Sequence, residues 1–502
     1  MQYPDAPRLP VVDDLHGHQV ADPYRWLEDA SSAETAAWSE AQDSLVRPFL
    51  DGLPGRDELA ATLHRLLGAG AVGAPVHRGD RAFFSRRTGG QQHAVLTVRI
   101  DGQDRALLDP AALDPTGLTT LDAWSPSRDG RLLAYQLSSG GDEESVLHVL
   151  DVETGEAVGA PLDRTRYSSV AWLPDGTGFY YVRRESLDSP FDRRVLLHRF
   201  GRYRQSADRS NVGSDTYVFG EGRDPRTYYG VSLSKDGRWL VVTASVGTEP
   251  RDDVWIADLA AGPATETLTV VQEGVDARCS AGVAFDGRLY VWTDRDAPRG
   301  RLCVADPTAP TAWTDLVAED PDAVLVDFAV TDDAVVVCRS RHALSELEVL
   351  DRTTGAPRAT IDLPGPGTVT AVIGRPDGGS QVWIGWTDWT TPPGVLVCDV
   401  AGVADVAAST PRTETWQSAP GGAPELAVAS RQEIYRSSDG TEVRLSVLAP
   451  VDKAGTGEPD RPRPTVLYGY GGFGIAMDPG YTTSALAWVA AGGVWAVANL
   501  RG

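Results

Sequence analysis

Two aromatic side chains on a glycine-rich turn near the end of the sequence are the residues best suited to chemistry. Tyr470 and Phe473 lie in segment 465–474, which begins as an apolar run and continues into a turn with four glycines. The pattern predicts a strand that runs into a loop, and α/β sheets bind ligands where their strands end. A tyrosine hydroxyl can donate a hydrogen bond to a developing oxyanion, and a phenylalanine can wall an apolar pocket. A tight turn whose aromatic side chains simply pack is the alternative.

Composition excludes several functional classes. The 502 residues have a net charge of −24 and no block of Lys or Arg, so a nucleic-acid partner is not expected. No apolar run is long enough to span a bilayer, and the first residues do not resemble a signal peptide. The sequence therefore predicts a cytoplasmic protein with no membrane partner.

Cysteine usage and motif searches indicate neither a disulfide framework nor a cofactor. The cysteines are single and widely spaced, which favours buried free thiols; they are Cys279, Cys303, Cys338 and Cys398. No phosphate-binding loop, dinucleotide fingerprint or calcium loop occurs, and His16 and His18 have no third ligand nearby in sequence. We expect no cofactor and no metal.

The first 70 residues read as a helical arm. Asp22 and Pro23 suit the N-cap and first position of a helix, and Ser31 or Ser32 can cap the next one. A last helix is predicted from about Arg56 to Leu67, where leucines recur at helical spacing.

Short strands separated by polar turns then dominate residues 71–424. A turn followed by an apolar strand recurs at intervals of about 45 to 60 residues, with turns at Gly79-Asp80, Asp129-Gly130, Asp175-Gly176, Asp236-Gly237, Asp286-Gly287, Asp332-Asp333 and Asp377-Gly378. A second apolar strand follows each, so the repeating unit is predicted to be a four-stranded sheet. Seven such units make a seven-bladed β-propeller. A pair of β-sandwiches is the alternative, but it predicts less regular spacing.

Residues 425–502 change to an α/β pattern after the Gly/Pro linker at 420–424. A hairpin turning at Asp439-Gly440 is followed by a strand at Thr465, a helix near 484–491 and a strand at 494–498. Strand, helix and strand at this spacing indicate the beginning of a parallel sheet. A parallel sheet needs more strands and helices on both faces, so this domain is expected to be incomplete. Either the rest lies outside this sequence or the protein is a naturally shortened form.

A catalytic triad is not evident in the sequence. An α/β serine hydrolase would show Gly-x-Ser-x-Gly on a strand-to-helix turn, followed by an acid and then a histidine. No serine lies in that pattern, and all eight histidines precede the α/β segment. We therefore expect that none of the 502 residues serves as the catalytic nucleophile, acid or base.

Three motifs resemble the prolyl oligopeptidase family of serine peptidases: residues 22–28 (DPYRWLE), 468–473 (YGYGGF) and 498–502 (ANLRG). The resemblance implies a mainly β protein with an α/β part, in which a seven-bladed propeller is inserted between a helical arm and an α/β-hydrolase domain. It implies that the arm packs on the hydrolase domain and that the propeller admits only short peptides. It further implies that Tyr470 is the oxyanion-hole donor and that Phe473 walls the substrate-binding pocket for proline.

The expected function is that of a serine endopeptidase cleaving after proline, with short peptides as substrates. The 502 residues alone are expected to be inactive, and a monomer is expected. Relatives specific for basic or acylated residues, and a non-catalytic propeller scaffold, are the alternatives that the sequence leaves open.

Overall fold

The computed structural model describes residues 3–201, 214–403, 411–451 and 461–500. The chain divides into two compact units, Met1–Arg65 and Leu66–Gly502. Within the described residues, no helix is both long and apolar enough to cross a membrane.

The first unit is a small hairpin followed by helices. Its elements are β1 (Val12–Leu15), β2 (His18–Ala21), a 3-10 helix (Arg25–Glu28), α1 (Ala33–Asp51) and α2 (Arg56–Leu67), which continues into the second unit. Ser32 caps α1 by accepting a hydrogen bond from the Thr35 amide, and α2 has the predicted bounds.

The predicted helix start at Asp22 and Pro23 is wrong. Only a 3-10 turn forms there, and it begins at Arg25 without a side-chain cap. The Asp22 carboxylate instead accepts a hydrogen bond from Arg25 Nε at 2.9 Å, and the same guanidinium binds Asp13 on β1. This ion pair lowers the pKa of Asp13. We attribute the short turn to this ion-pair network, in which the Arg25 guanidinium joins Asp22 to Asp13 of the hairpin.

The second unit begins with seven antiparallel sheets, each built from one continuous stretch of chain. The first three sheets consist of β3 (Ala71–Val72), β4 (Val76–Arg78), β5 (Arg81–Arg87), β6 (Val95–Ile100) and β7 (Gln103–Leu108); β8 (Thr119–Pro126), β9 (Leu132–Ser139) and β10 (Val146–Asp151); and β11 (Val170–Trp172), β12 (Gly178–Arg184), β13 (Arg193–Arg199) and β14 (Ser214–Phe219). A short helix, α3 (Pro110–Leu113), connects the first two.

The remaining four sheets have four strands each. They consist of β15 (Thr227–Leu233), β16 (Trp239–Val246), β17 (Asp253–Asp258) and β18 (Leu268–Gln272); β19 (Cys279–Val283), β20 (Leu289–Thr293), β21 (Arg301–Ala305) and β22 (Thr314–Val317); β23 (Val324–Val330), β24 (Ala334–Arg341), β25 (Leu344–Asp351) and β26 (Pro357–Ile361); and β27 (Thr368–Gly374), β28 (Gln381–Thr387), β29 (Gly394–Asp399) and β30 (Thr413–Gln417). A second short helix, α4 (Ala264–Thr267), precedes β18.

These sheets are the seven blades of a β-propeller, as the repeat predicted. Each predicted polar turn precedes the second strand of a blade, and its acidic residue often accepts the amide two residues on, as Asp175 and Asp236 do. The second blade has three strands plus isolated bridges from β10 to Leu162 and Ala157, which continue its outer edge.

The blades pack because their central strands are apolar on both faces. In β16, Leu240 and Val242 face one apolar cluster, whereas the alternating residues Trp239 and Val241 face the next. Successive side chains of a strand point to opposite faces, so each blade packs against both neighbours. Full burial of such side chains contributes roughly 1.5–3 kcal/mol each.

The first and last blades meet without sharing a strand. Val72 and Phe84 of the first blade form an apolar cluster with Trp383 and Val395 of the last. The His77 ring contacts the Trp383 ring with centroids 3.9 Å apart. Side-chain packing and a backbone hydrogen bond from the Val72 amide to the Pro393 carbonyl, at 3.0 Å, therefore close the ring.

The last part of the chain forms a four-stranded sheet and one helix. Its elements are β31 (Val428–Arg436), β32 (Glu442–Pro450), β33 (Thr465–Gly469), α5 (Thr483–Ala490) and β34 (Val494–Asn499), and the strand order is β31-β32-β34-β33. β33 and β34 are parallel, with Thr465 opposite Val494 and Gly469 opposite Ala498. The predicted hairpin and β-α-β unit are both confirmed.

The prediction of free, buried thiols is also confirmed. All four cysteines are unpaired and buried in propeller strands. Burial raises the pKa of the Cys279 thiol to about 12, so it stays protonated at neutral pH.

Candidate functional site

The candidate site is the loop that follows β33, and β34 ends beside it. Tyr470 is the first residue after β33, while Asn499 and Leu500 lie at the end of the neighbouring parallel strand. Gly469 permits this close approach, because a Cβ atom there would lie 2.9 Å from the Leu500 side chain. Both predicted site residues thus lie at the carboxyl edge of the sheet.

The loop turns sharply through three left-handed residues. Gly471 and Gly474 have φ angles of 67° and 66°, which glycine adopts without strain. Phe473 has a φ of 54°, which is uncommon for a bulky residue. Its side chain is 64% exposed, so burial of the ring does not account for this conformation. Strained residues of this kind cluster at ligand-binding sites.

Asn499 holds the far side of the loop. Its Oδ1 accepts a hydrogen bond from the Met477 amide at 2.7 Å, and its Nδ2 donates to the Met477 carbonyl at 3.3 Å. One side chain thereby satisfies both backbone groups of a loop residue, much as a neighbouring strand would. The sequence placed Asn499 in a motif but gave it no role.

The next part of the loop is bound to the seventh blade. Thr368 Oγ1, at the beginning of β27, donates to the Pro479 carbonyl at 2.6 Å, and the Tyr481 amide donates to Thr387 Oγ1 at 3.4 Å. Trp389, in the turn after β28, packs against Leu448 of β32 in an apolar cluster. The loop is therefore fixed at the amino-terminal end of the blade's first strand.

Arg278 reaches the loop from the fifth blade. A Cβ atom on Gly474 would lie 3.4 Å from Arg278 Nη2. Backbone bonds to blade residues hold Arg278, because its amide donates to Asp294 Oδ1 and its carbonyl accepts from Thr293 Oγ1, both at 2.7 Å. It directly precedes β19, so the loop lies near the beginnings of two first strands, in the fifth and seventh blades. No sequence motif pointed to Arg278.

The Tyr470 hydroxyl is open for a ligand. The side chain is 50% exposed, and the hydroxyl has no hydrogen-bond partner among the described residues. Nearby in the loop, Asp478 Oδ1 is buried with no hydrogen-bond partner within the described ranges. Burial raises the pKa of Asp478 and thus favours its neutral form.

The two buried histidines, His77 and His198, have structural surroundings. His198 Nδ1 lies 2.8 Å from Asp215 Oδ1, but the buried His198 ring packs against aromatic rings of the third blade, including Phe179 and Phe200. His77 is buried against Trp383, and burial lowers its pKa to about 4.

The last two residues of the third motif, Arg501 and Gly502, lie outside the described residues.

Comparison with known families and proteins agrees with this architecture. Residues 4–406 match the family described as prolyl oligopeptidase, N-terminal beta-propeller domain. The chain is 30% identical over 517 residues to the prolyl endopeptidase of Elizabethkingia meningoseptica, covering 100% of this chain and 68% of that protein. It is 23% identical over 531 residues to dipeptidyl aminopeptidase BI of Pseudoxanthomonas mexicana, covering 99% of this chain and 69% of the relative.

Solved structures share the fold. A chain from a structural and mechanistic study of two prolyl endopeptidases aligns with a TM-score of 0.86 at 32% identity, over 100% of this chain and 72% of that one. Prolyl oligopeptidase B from Galerina marginata, bound to a 35mer hydrolysis and macrocyclization substrate, aligns with a TM-score of 0.85 at 21% identity, with the same coverage. At that identity the second similarity supports the fold alone.

Proposed function

Because the chain belongs to the prolyl oligopeptidase family of peptidases, we propose that it is part of a serine-type endopeptidase that cleaves short peptides on the carboxyl side of proline. The observation that carries the proposal is the loop after β33, where Tyr470 and Phe473 are exposed beside two propeller blades. The name of the Elizabethkingia relative, prolyl endopeptidase, supports proline as the residue at the cleavage site.

In this proposal Tyr470 stabilises the tetrahedral intermediate. When a nucleophile attacks the scissile carbonyl, negative charge develops on its oxygen, and a fixed hydroxyl stabilises that charge more than it stabilises the ground state. A hydroxyl without a protein partner has its hydrogen available for this bond. The adjoining Asn499 and Thr368 bonds hold the loop, so little reorganisation is needed during the reaction.

Phe473 is proposed to form the apolar wall that receives the proline ring. Its exposed ring and left-handed backbone fit a side chain held out for a ligand rather than for packing. A flat aromatic face packs well against the saturated proline ring. Arg278 is close enough to the same loop to contribute a cation to substrate binding.

The propeller is proposed to limit access to the site. The loop is bound where the first strands of the fifth and seventh blades begin, so a substrate at Tyr470 would lie over that end of the propeller. In this proposal the propeller admits short peptides to the space over the loop and excludes folded polypeptides. We also propose three domains: the helical arm at 1–70, the propeller at 71–424 and the beginning of the α/β-hydrolase domain at 425–502.

We further propose that the 502 residues do not hydrolyse peptides by themselves. Tyr470 can stabilise an oxyanion only where a nucleophile generates one. The sequence contains no Gly-x-Ser-x-Gly motif, and all of its histidines lie between residues 16 and 342.

Peptide hydrolysis tests these proposals. The complete reading frame and residues 1–502 are each assayed with a chromogenic Gly-Pro substrate and with an Arg substrate. Turnover of the Gly-Pro substrate by the complete protein alone is expected. Preference for the Arg substrate would refute proline specificity, and turnover by residues 1–502 would refute the account of the triad.

The role of Tyr470 is tested by Tyr470→Phe in the complete protein. Loss of one oxyanion donor is expected to lower kcat about 10²-fold with little change in KM. Tyr468→Phe is the matched control, because Tyr468 lies two residues earlier and is 43% exposed, similar to Tyr470. Equal effects of the two substitutions would contradict the assignment.

A further inference from the structure

A cavity of about 590 Å³ lies on the propeller axis, at the end away from the candidate site. Each of the seven blades contributes to the lining a residue at or near the carboxyl end of a strand on its first edge: Arg78, Ser125, Trp172, Val231, Val283, Val330 and Gly374. The loop after β33 contacts the opposite ends of these strands, at Arg278 and Thr368. The cavity is therefore separate from the proposed peptidase site.

Polar contacts cross this cavity between blades that are not neighbours. Arg128, in the turn between β8 and β9 of the second blade, donates to the carbonyls of Lys235 at 2.6 Å and Leu233 at 2.8 Å in the fourth. Lys235 Nζ lies 3.0 Å from Asp377 Oδ1 of the seventh blade. The side chains around the axis are thus held in place.

The charged residues that line the cavity are mostly cationic, although the protein carries a net charge of −24. They are Arg78, Arg128, Lys235 and Arg375, against the single carboxylate of Asp377. That carboxylate is already paired with Lys235. Within the described ranges, none of the three guanidinium groups forms a salt bridge with a carboxylate. Asp236 and Asp377 lie near enough to Arg128 to interact with it electrostatically, but the four cations outnumber these two carboxylates, and this excess of positive charge attracts an anion.

The three guanidinium groups also keep unused donors. Arg78 donates to the His77 carbonyl and Arg375 to that of Gly79, at 2.8 and 3.0 Å, whereas a guanidinium has five N–H groups. The Nε atoms of Arg78 and Arg128 are buried with no hydrogen-bond partner among the described residues. Burial and the nearby Arg128 charge lower the pKa of Arg78 to about 10. A bound anion would offset the repulsion between Arg78 and Arg128 and would accept hydrogen bonds from the Nη donors that no carbonyl uses, whereas the buried Nε atoms lie out of its reach.

We propose that this cavity binds a small multivalent oxyanion of the phosphate class through Arg78, Arg128 and Arg375. Planar guanidinium groups match the oxygens of a phosphate, and cations from three blades favour more than one negative charge. Arg78 and Arg375 belong to the first and seventh blades, which share no strand. The ligand would therefore tie the ring together at its closure and stabilise the folded protein.

The test is titration of the full chain with inorganic pyrophosphate and, separately, orthophosphate, by calorimetry and by thermal unfolding. Sodium chloride keeps the ionic strength constant. We expect saturable binding of pyrophosphate, tighter than that of orthophosphate, and a rise in Tm with pyrophosphate concentration. Arg78→Gln and Arg375→Gln should each weaken binding about tenfold or more, because each removes a charge-assisted contact.

Arg301→Gln is the matched control, since Arg301 pairs with Asp315 on outer strands of the fifth blade. It should change the affinity less than twofold. Tm without ligand shows whether each variant is folded, and either cavity variant suffices for the comparison. No saturable binding of either anion, or equal weakening in the control and the cavity variants, would overturn the proposal.

Discussion

The two hydrogen bonds from Asn499 to Met477 should control how firmly the loop after β33 is held. Replacing Asn499 with Ala removes both bonds and leaves the Met477 amide and carbonyl without this partner. The 2.7 Å bond has good geometry and contributes about 1 kcal/mol, whereas the 3.3 Å bond contributes less, so the loss should be about 1–2 kcal/mol. Opening of the loop should then be about 5–30 times more frequent.

Hydrogen–deuterium exchange measures this opening. Peptides covering residues 475–482 should exchange about 5–30 times faster in Asn499→Ala, while peptides from the propeller strands should not change. Asn499→Asp is the matched variant, because a carboxylate can still accept from the Met477 amide but cannot donate to its carbonyl. It should show a smaller increase. Unchanged exchange in Asn499→Ala would refute the view that this side chain holds the loop.

Two further predictions concern stability. His77 has a folded pKa of about 4 against 6.5 when free, so the unfolded state binds more protons between these values; stability is full above pH 6.5 and falls by up to about 3 kcal/mol as pH drops toward 4. His77→Gln should lose this part of the pH dependence when the free energy of unfolding is measured with denaturant at pH 7.5 and at pH 5. The same difference between the two pH values in the variant and in the unaltered protein would contradict the prediction. Gly155 and Gly355 occupy equivalent turns with φ angles of 74° and 70°, but a Cβ atom at Gly355 would overlap the Leu316 carbonyl oxygen. Gly355→Ala should therefore destabilise the protein about 1–3 kcal/mol more than Gly155→Ala. Equal midpoints of urea unfolding for the two variants would contradict this prediction.

Local patterns were sufficient wherever a structural signal is contained in neighbouring residues. The turn at Asp236-Gly237 and the apolar run after it predicted β16, and the four apolar residues that begin this strand are buried on both of its faces. The bounds of α2 followed from leucine spacing. The helix predicted at Asp22 failed for the opposite reason, since the Arg25 pair with Asp13 depends on a hairpin partner earlier in the chain.

The candidate site was only partly predictable. Tyr470 and Phe473 were identified from their glycine-rich turn, and their proposed roles remain to be tested. Arg278 reaches the same loop from nearly 200 residues earlier in the chain, and nothing in its own neighbourhood of the sequence indicated this. Asn499 was visible in a motif, but its bonds to Met477 depend on the parallel pairing of β33 and β34.

The sequence by itself determined the number of blades and the β-α-β pattern after them, because turn chemistry and strand alternation repeat within short windows of chain. Only the tertiary structure decided which residues meet on the propeller axis. Arg375 contacts the carbonyl of Gly79 across 296 residues, and Arg128 reaches the fourth blade. The reason is that ring closure rests on packing between the first and last blades, which no local pattern specifies.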